Sequence, residues 1–114
     1  MHLESIRKYC LGKEGKITEE FPFDEETLVF KVGGKMFLLT NIDGHPLSVN
    51  LKCEPALAVE LRERHAAVQP GYHMNKQHWN TIILDGSIPD REVRKMIDMS
   101  YELVVRTLRK ADRP

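Results

Sequence analysis

The sequence predicts a two-layer α+β fold: an antiparallel sheet of about five strands with three helices on one side, in the order α-β3-α-β2-α. Three observations carry this. In "TLVFKVGGKMFLLT" two β-branched or aromatic runs flank Gly33-Gly34, and a Gly-Gly loop supplies the positive φ angles of a type I′ hairpin turn. Strand signals come in groups joined by short turns, with no alternating βαβ rhythm, which points to an antiparallel sheet with segregated helices. Helical apolar spacing marks the two ends and one central segment.

The elements follow in order. Leu3, Ile6 and Cys10 share one face of a first helix, and Gly12 offers its stop. "GKEGKITEEFPFDEE" carries six acids between Glu14 and Glu26 and reads as a connection with a short strand near Ile17. In the hairpin, Leu28, Phe30 and Val32 alternate on one face. Phe37 and Leu39 are expected to share one face of the next strand, with Met36 and Leu38 on the other. That strand is apolar on both sides and should be central. Asp43-Gly44 makes a second turn. In "LSVNLK", Leu47, Val49 and Leu51 face the core, while Ser48, Asn50 and Lys52 face a wetter side.

Pro55 suits a helix first turn, preceded by Glu54 at the positive helix end. Leu57, Ala58 and Leu61 form the buried stripe of this second helix, which runs to about His65. Pro70-Gly71 breaks the chain, and "TIILDG" is a further strand and turn. A long third helix opens at Pro89 or Asp90, with Val93, Met96, Ile97, Tyr101, Val104 and Leu108 spaced by three and four.

At 114 residues the chain is one domain, residues 1–114. Such a length buries about 65% of the unfolded surface, enough for one core. Lys plus Arg equals Asp plus Glu, 17 each, so total charge gives no attraction to DNA or an anionic membrane. Cys10 and Cys53 are the only cysteines and read as free thiols in a reducing, cytoplasmic setting. No apolar run is long enough to span a membrane, so no membrane partner is expected.

The densest chemistry lies in "GYHMNKQHWN", Gly71 to Asn80. His73 and His78 are five apart, and Cys53 and His65 lie elsewhere; this is no zinc-ligand spacing, so no metal is expected. Cys53 faces the core side, where a cysteine behaves as a small hydrophobe. No nucleophile, base and orienter assemble, so neither catalysis nor a cofactor is expected. "VGGKMF" lacks the phosphate-loop frame. Nucleic acid remains. From Arg64 to Leu84 there is no acid, and Lys76, Asn75, His78, Tyr72 and Trp79 cluster there. Such residues meet phosphates, base edges and base faces. Lys52 can join from the wet sheet face, and Lys31 and Lys35 bracket the hairpin tip. Against this stands a plain packing reading, with Tyr72 and Trp79 anchoring the loop in the core.

"FPFDEETLVFKVGGKMFLL", "LSVNLKCEP", "PGYHMNKQHWNTIILDGSIP" and "IDMSYELVV" together resemble the MmcQ/YjbR family of small bacterial proteins. The resemblance implies a YjbR-like α+β fold similar to type III secretion chaperones, and a DNA-binding role through a double wing of β-hairpins. Its motif positions here are Lys52, Tyr72, His73, Met74, Asn75, Lys76, His78, Trp79 and Asn80. The expected nucleic-acid contacts are Lys52, Asn75, Lys76, His78, Lys31 and Lys35; the expected motif anchors are Tyr72, His73, Trp79 and Asn80. Two other partners fit the same fold: another protein or peptide, and a small molecule held near Trp79, Tyr72 and His73.

Overall fold

A computed structural model describes residues 1–114. Its elements are α1 (Leu3–Leu11), β1 (Ile17–Glu20), β2 (Thr27–Val32), β3 (Lys35–Asn41), β4 (Ser48–Lys52), α2 (Pro55–Arg64), β5 (Val68–Pro70), β6 (Trp79–Ile83) and α3 (Asp90–Thr107), followed by a 3-10 turn at Lys110–Asp112. The strands form one sheet of order β1-β2-β3-β4-β6-β5, and every neighbouring pair is antiparallel. The α+β class therefore holds. The sheet has six strands because the segment at Ile17 pairs fully along β2.

All three helices lie on one side. α1 packs on β1, α3 crosses β2, β3 and β4, and α2 packs on β5. One apolar core fills the interface, from Ile6 and Cys10 on α1 through Phe30, Phe37, Val49 and Leu51 to Val93, Ile97 and Val104 on α3. The α3 spacing of three and four puts these side chains in one stripe facing the sheet. The β2–β3 turn is as the glycines require: φ is +56° at Gly33 and +85° at Gly34. Gly33 is needed for a second reason, because a Cβ there would sit 2.8 Å from a Leu108 methyl.

The alternation expected along β3 is corrected by a β-bulge. Phe30 pairs with Leu38 but Lys31 pairs with Met36, so Phe37 is the extra residue. A bulge shifts the period of two by one residue. Phe37 and Leu38 consequently both enter the core, while Leu39 and Met36 turn to the opposite, helix-free face. Phe37 gains an edge-on contact with Tyr101, ring centroids 5.6 Å apart.

The bulge interrupts the ladder between β3 and β4, whose regular pairing stops at Leu38↔Leu51. Ser100 on α3 repairs the gap. Its hydroxyl donates to the Phe37 carbonyl at 2.6 Å and accepts from the Lys52 N–H at 2.9 Å. Ser100 is fully buried, and a hydroxyl carries the one donor and spare lone pair that this needs. At the other end of the same pairing, the Thr40 hydroxyl donates to the Ser48 carbonyl at 2.7 Å.

Ser100→Ala leaves two main-chain groups without partners, at about 1–3 kcal/mol per buried group. Urea unfolding should show a loss of about 2–4 kcal/mol. A loss below about 1 kcal/mol would show that the bulge does not depend on this hydroxyl.

Candidate functional site

The face without helices is built from alternate residues of each strand. Its central cross-strand row runs Glu20, Val29, Leu39, Asn50, Thr81, Gln69. Loops 21–26 and 71–78 rise beside this face and leave a cleft of about 510 Å³ between them. The floor includes Met36, Leu39, Asn50 and Thr81; one wall carries Phe23, Asp24 and Glu26, the other Tyr72, His73 and Met74.

Each wall is held from within. Asp24 accepts the N–H groups of Glu26 at 2.9 Å and Thr27 at 2.6 Å, and the Thr27 hydroxyl at 3.1 Å. These backbone donors hold its carboxyl below the usual aspartate value. The same turn leaves Phe21 and Phe23 out in solvent. In the other wall, the Tyr72 N–H donates to the Thr81 hydroxyl at 3.0 Å. Thr81 in turn donates to the Asn50 amide oxygen. Gly71 is buried, and a Cβ there would meet Trp79 at 2.9 Å and Met74 at 3.1 Å. His73 takes φ of +58°, a left-handed conformation uncommon outside glycine. Its ring lies 4.0 Å from that of Tyr72.

The rest of the 71–80 loop is spent on its own architecture. Lys76 Nζ donates to the Gly71 carbonyl at 3.0 Å. The Asn75 side chain accepts from the Gln77 N–H, and its carbonyl takes the N–H groups of His78 and Trp79. The His78 carbonyl accepts from the Cys53 N–H at 2.7 Å. Arg62 of α2 reaches in with Nε to Asn80 at 2.9 Å and Nη2 to the Lys76 carbonyl at 2.7 Å. Asn80 is 1% exposed and returns a bond from Nδ2 to the Ala58 carbonyl at 3.3 Å.

The residues singled out from sequence are thus divided. Asn80 is buried, and Trp79 is half-buried on the open face, opposite Lys52 across the β4–β6 pair and outside the apolar core. The expectation that Tyr72 is an anchor is corrected: its side chain is 70% exposed, because only its N–H is tied to the sheet. His73 is likewise exposed. Lys31 is paired with Glu20 at 3.0 Å. Lys35 bonds the Thr107 carbonyl and hydroxyl at the end of α3, each at 3.2 Å. Lys52 lies on the open face with no hydrogen bond from its ammonium group; Asn75 and His78 are exposed. Lys31 and Lys52 share the open face with the cleft but do not line it. Arg62 and Phe23 were missed. The available signals were an arginine beside the α2 stripe and aromatics set among charges.

A model of the YjbR family matches residues 12–103, which span both walls of the cleft, the bulge and Ser100. The chain belongs to the YjbR family. It is 35% identical over 109 residues to the Escherichia coli K12 protein named "Uncharacterized protein YjbR", covering 95% of this chain and 91% of that one. It is 39% identical over 93 residues to YbdF of Escherichia coli O157:H7, covering 81% and 75%. A crystal structure of a Deinococcus radiodurans protein with the DUF419 domain superposes with a TM-score of 0.92 at 40% identity, covering 97% of this chain and 84% of that one. A second, from Pseudomonas syringae, gives 0.79 at 26% identity, covering 91% and 99%. In this YjbR-family chain no helix is long and apolar enough to cross a membrane.

Both thiols of this YjbR-family chain are buried. Burial pushes Cys10 up to about 12 and raises Cys53 as well. A disulfide reagent at pH near 8 should therefore leave the native protein unlabelled and label both cysteines in denaturant; rapid native labelling of either would contradict this burial. Arg62→Ala leaves the Asn80 amide oxygen and the Lys76 carbonyl without their donor and frees the 71–78 loop. It should cost about 1–3 kcal/mol, with hydrogen exchange of the His78 and Trp79 amides accelerated ahead of the β2–β3 core. Uniform acceleration across the sheet would sink the local role.

Proposed function

We propose that this protein is a non-catalytic binding module, and that its site is the cleft on the open sheet face, taking a small, largely apolar molecule. One observation carries the reading: two loops, each braced by its own hydrogen bonds, hold Phe23 and Tyr72 out in solvent on opposite sides of a floor that sets Met36 and Leu39 beside Asn50 and Thr81. Large exposed aromatics lose contact area unless something covers them. A volume of about 510 Å³ lies within the range of small-molecule sites, roughly 300–1,000 Å³. The Asn50–Thr81 pair supplies the few convergent polar groups that orient a ligand. A cytoplasmic setting is part of the proposal, and the two unpaired thiols support it.

The double-wing DNA reading finds less support. Its six contact residues do not act together: Lys31, Lys35 and Lys76 already bond groups within the chain. Lys52, Asn75 and His78 remain for an encounter with phosphate. Duplex affinity rests on several neutralised phosphates at once.

A fragment screen read by amide chemical shifts tests the choice. Binders should perturb Leu39, Asn50, Tyr72 and Thr81 together. Tyr72→Ala should remove those shifts while changing stability by less than about 0.5 kcal/mol, as for other exposed positions. If fragments leave the cleft silent while a low-salt DNA duplex shifts Lys52, Asn75 and His78, the DNA reading replaces this one.

A further inference from the structure

We infer that the ligand of this cleft is a small organic cation: a protonated or alkylated amine on an apolar body. The inference rests on the cleft being the binding site, and it follows from the distribution of charge and aromatic surface around it.

The lining includes Asp24 and Glu26 and not one Lys or Arg. Asp24 stays ionised because backbone N–H groups of its own turn hold its carboxyl low. Those donors use much of its hydrogen-bonding capacity but leave its negative charge in place. Glu26 is exposed, with no partner for its side chain. Its backbone is fixed, since its carbonyl accepts the Ile42 N–H at 2.9 Å. The basic residues of this face stand one row away toward the hairpin: Lys31 opposite Met36, and Lys52 opposite Trp79. An anionic guest would meet two like charges and no Lys or Arg in the lining.

The aromatic surfaces point the same way. Phe23 and Tyr72 are 64% and 70% exposed on facing walls, and the His73 ring packs against Tyr72. The face of an aromatic ring is the negative end of its quadrupole, and it attracts an ammonium group. Below them Met36 and Leu39 give the floor a soft apolar part, with Met74 in the wall beside it, for the rest of the guest. The Asn50 amide oxygen and the Thr81 hydroxyl add acceptors for an N–H.

Three probes of one shape separate charge from shape: benzylamine, benzyl alcohol and benzoate, titrated at neutral pH and read by the amide shifts of Leu39, Tyr72 and Thr81. Benzylamine should bind about five- to tenfold more tightly than benzyl alcohol, as one cation–aromatic contact and an exposed carboxylate contribute. Benzoate should be weakest. Glu26→Gln, at an exposed position, should cut the preference for benzylamine by at least half and leave benzyl alcohol unchanged. If benzyl alcohol or benzoate binds as well as benzylamine, or Glu26→Gln leaves the preference intact, the cationic inference falls and the cleft reading stands. If none of the three moves the cleft amides, the cleft reading falls and this inference with it.

Discussion

One hydroxyl group holds the two faces of this sheet in their roles. Ser100 donates to Phe37 and accepts from Lys52 where the β3–β4 ladder is broken. With that gap closed, β3 can carry an extra residue in the middle of a buried sheet. The extra residue sends Phe37 and Leu38 together into the core, and turns Leu39 and Met36 to the floor of the cleft. A regular strand would put Phe37 on the open face. Core and candidate site are thus two consequences of one bulge, and the serine makes it tolerable inside a low-dielectric interior, where an unpaired main-chain group is costly.

The same economy governs the 71–80 loop. Its residues look like a catalytic cluster when read along the chain. In three dimensions three of their polar side chains hold the loop in place: Lys76 closes on Gly71, Asn75 caps the turn, and Asn80 is locked between Arg62 and Ala58 of α2. The side chains the loop presents to the cleft are Tyr72, His73 and Met74. A site gains affinity when its walls are ordered before the ligand arrives, and loop 21–26 is braced in the same manner by Asp24.

The fold alone would not have indicated this surface. Family membership and close superposition on solved relatives fix the architecture, while function lives in the particular side chains mounted on it. Here those side chains come from four separated stretches: loop 21–26, β3, β4 and the 71–81 region. They meet only because the antiparallel register aligns Leu39, Asn50 and Thr81 across three strands.

The α+β class, the type I′ turn at Gly33-Gly34, the wet face of β4 and the stripe of α3 were legible along the chain. Each is set by local sterics or by periodicity, which a neighbour list along the chain contains. The sequence also identified the 71–80 segment as exceptional, and the burial of Cys53. Tertiary structure decided the rest. The bulge at Phe37 is bonded to a serine 63 positions away, beyond the reach of strand periodicity, which alone pointed Phe37 and Leu39 to the same face. Whether Tyr72 anchors or projects depends on where the sheet holds its N–H. Lys31 and Lys35 read as free basic groups until β1 brings Glu20 and α3 brings its C-terminal end beside them. Composition lists which charges exist; only the packing of distant elements determines which of them are already neutralised.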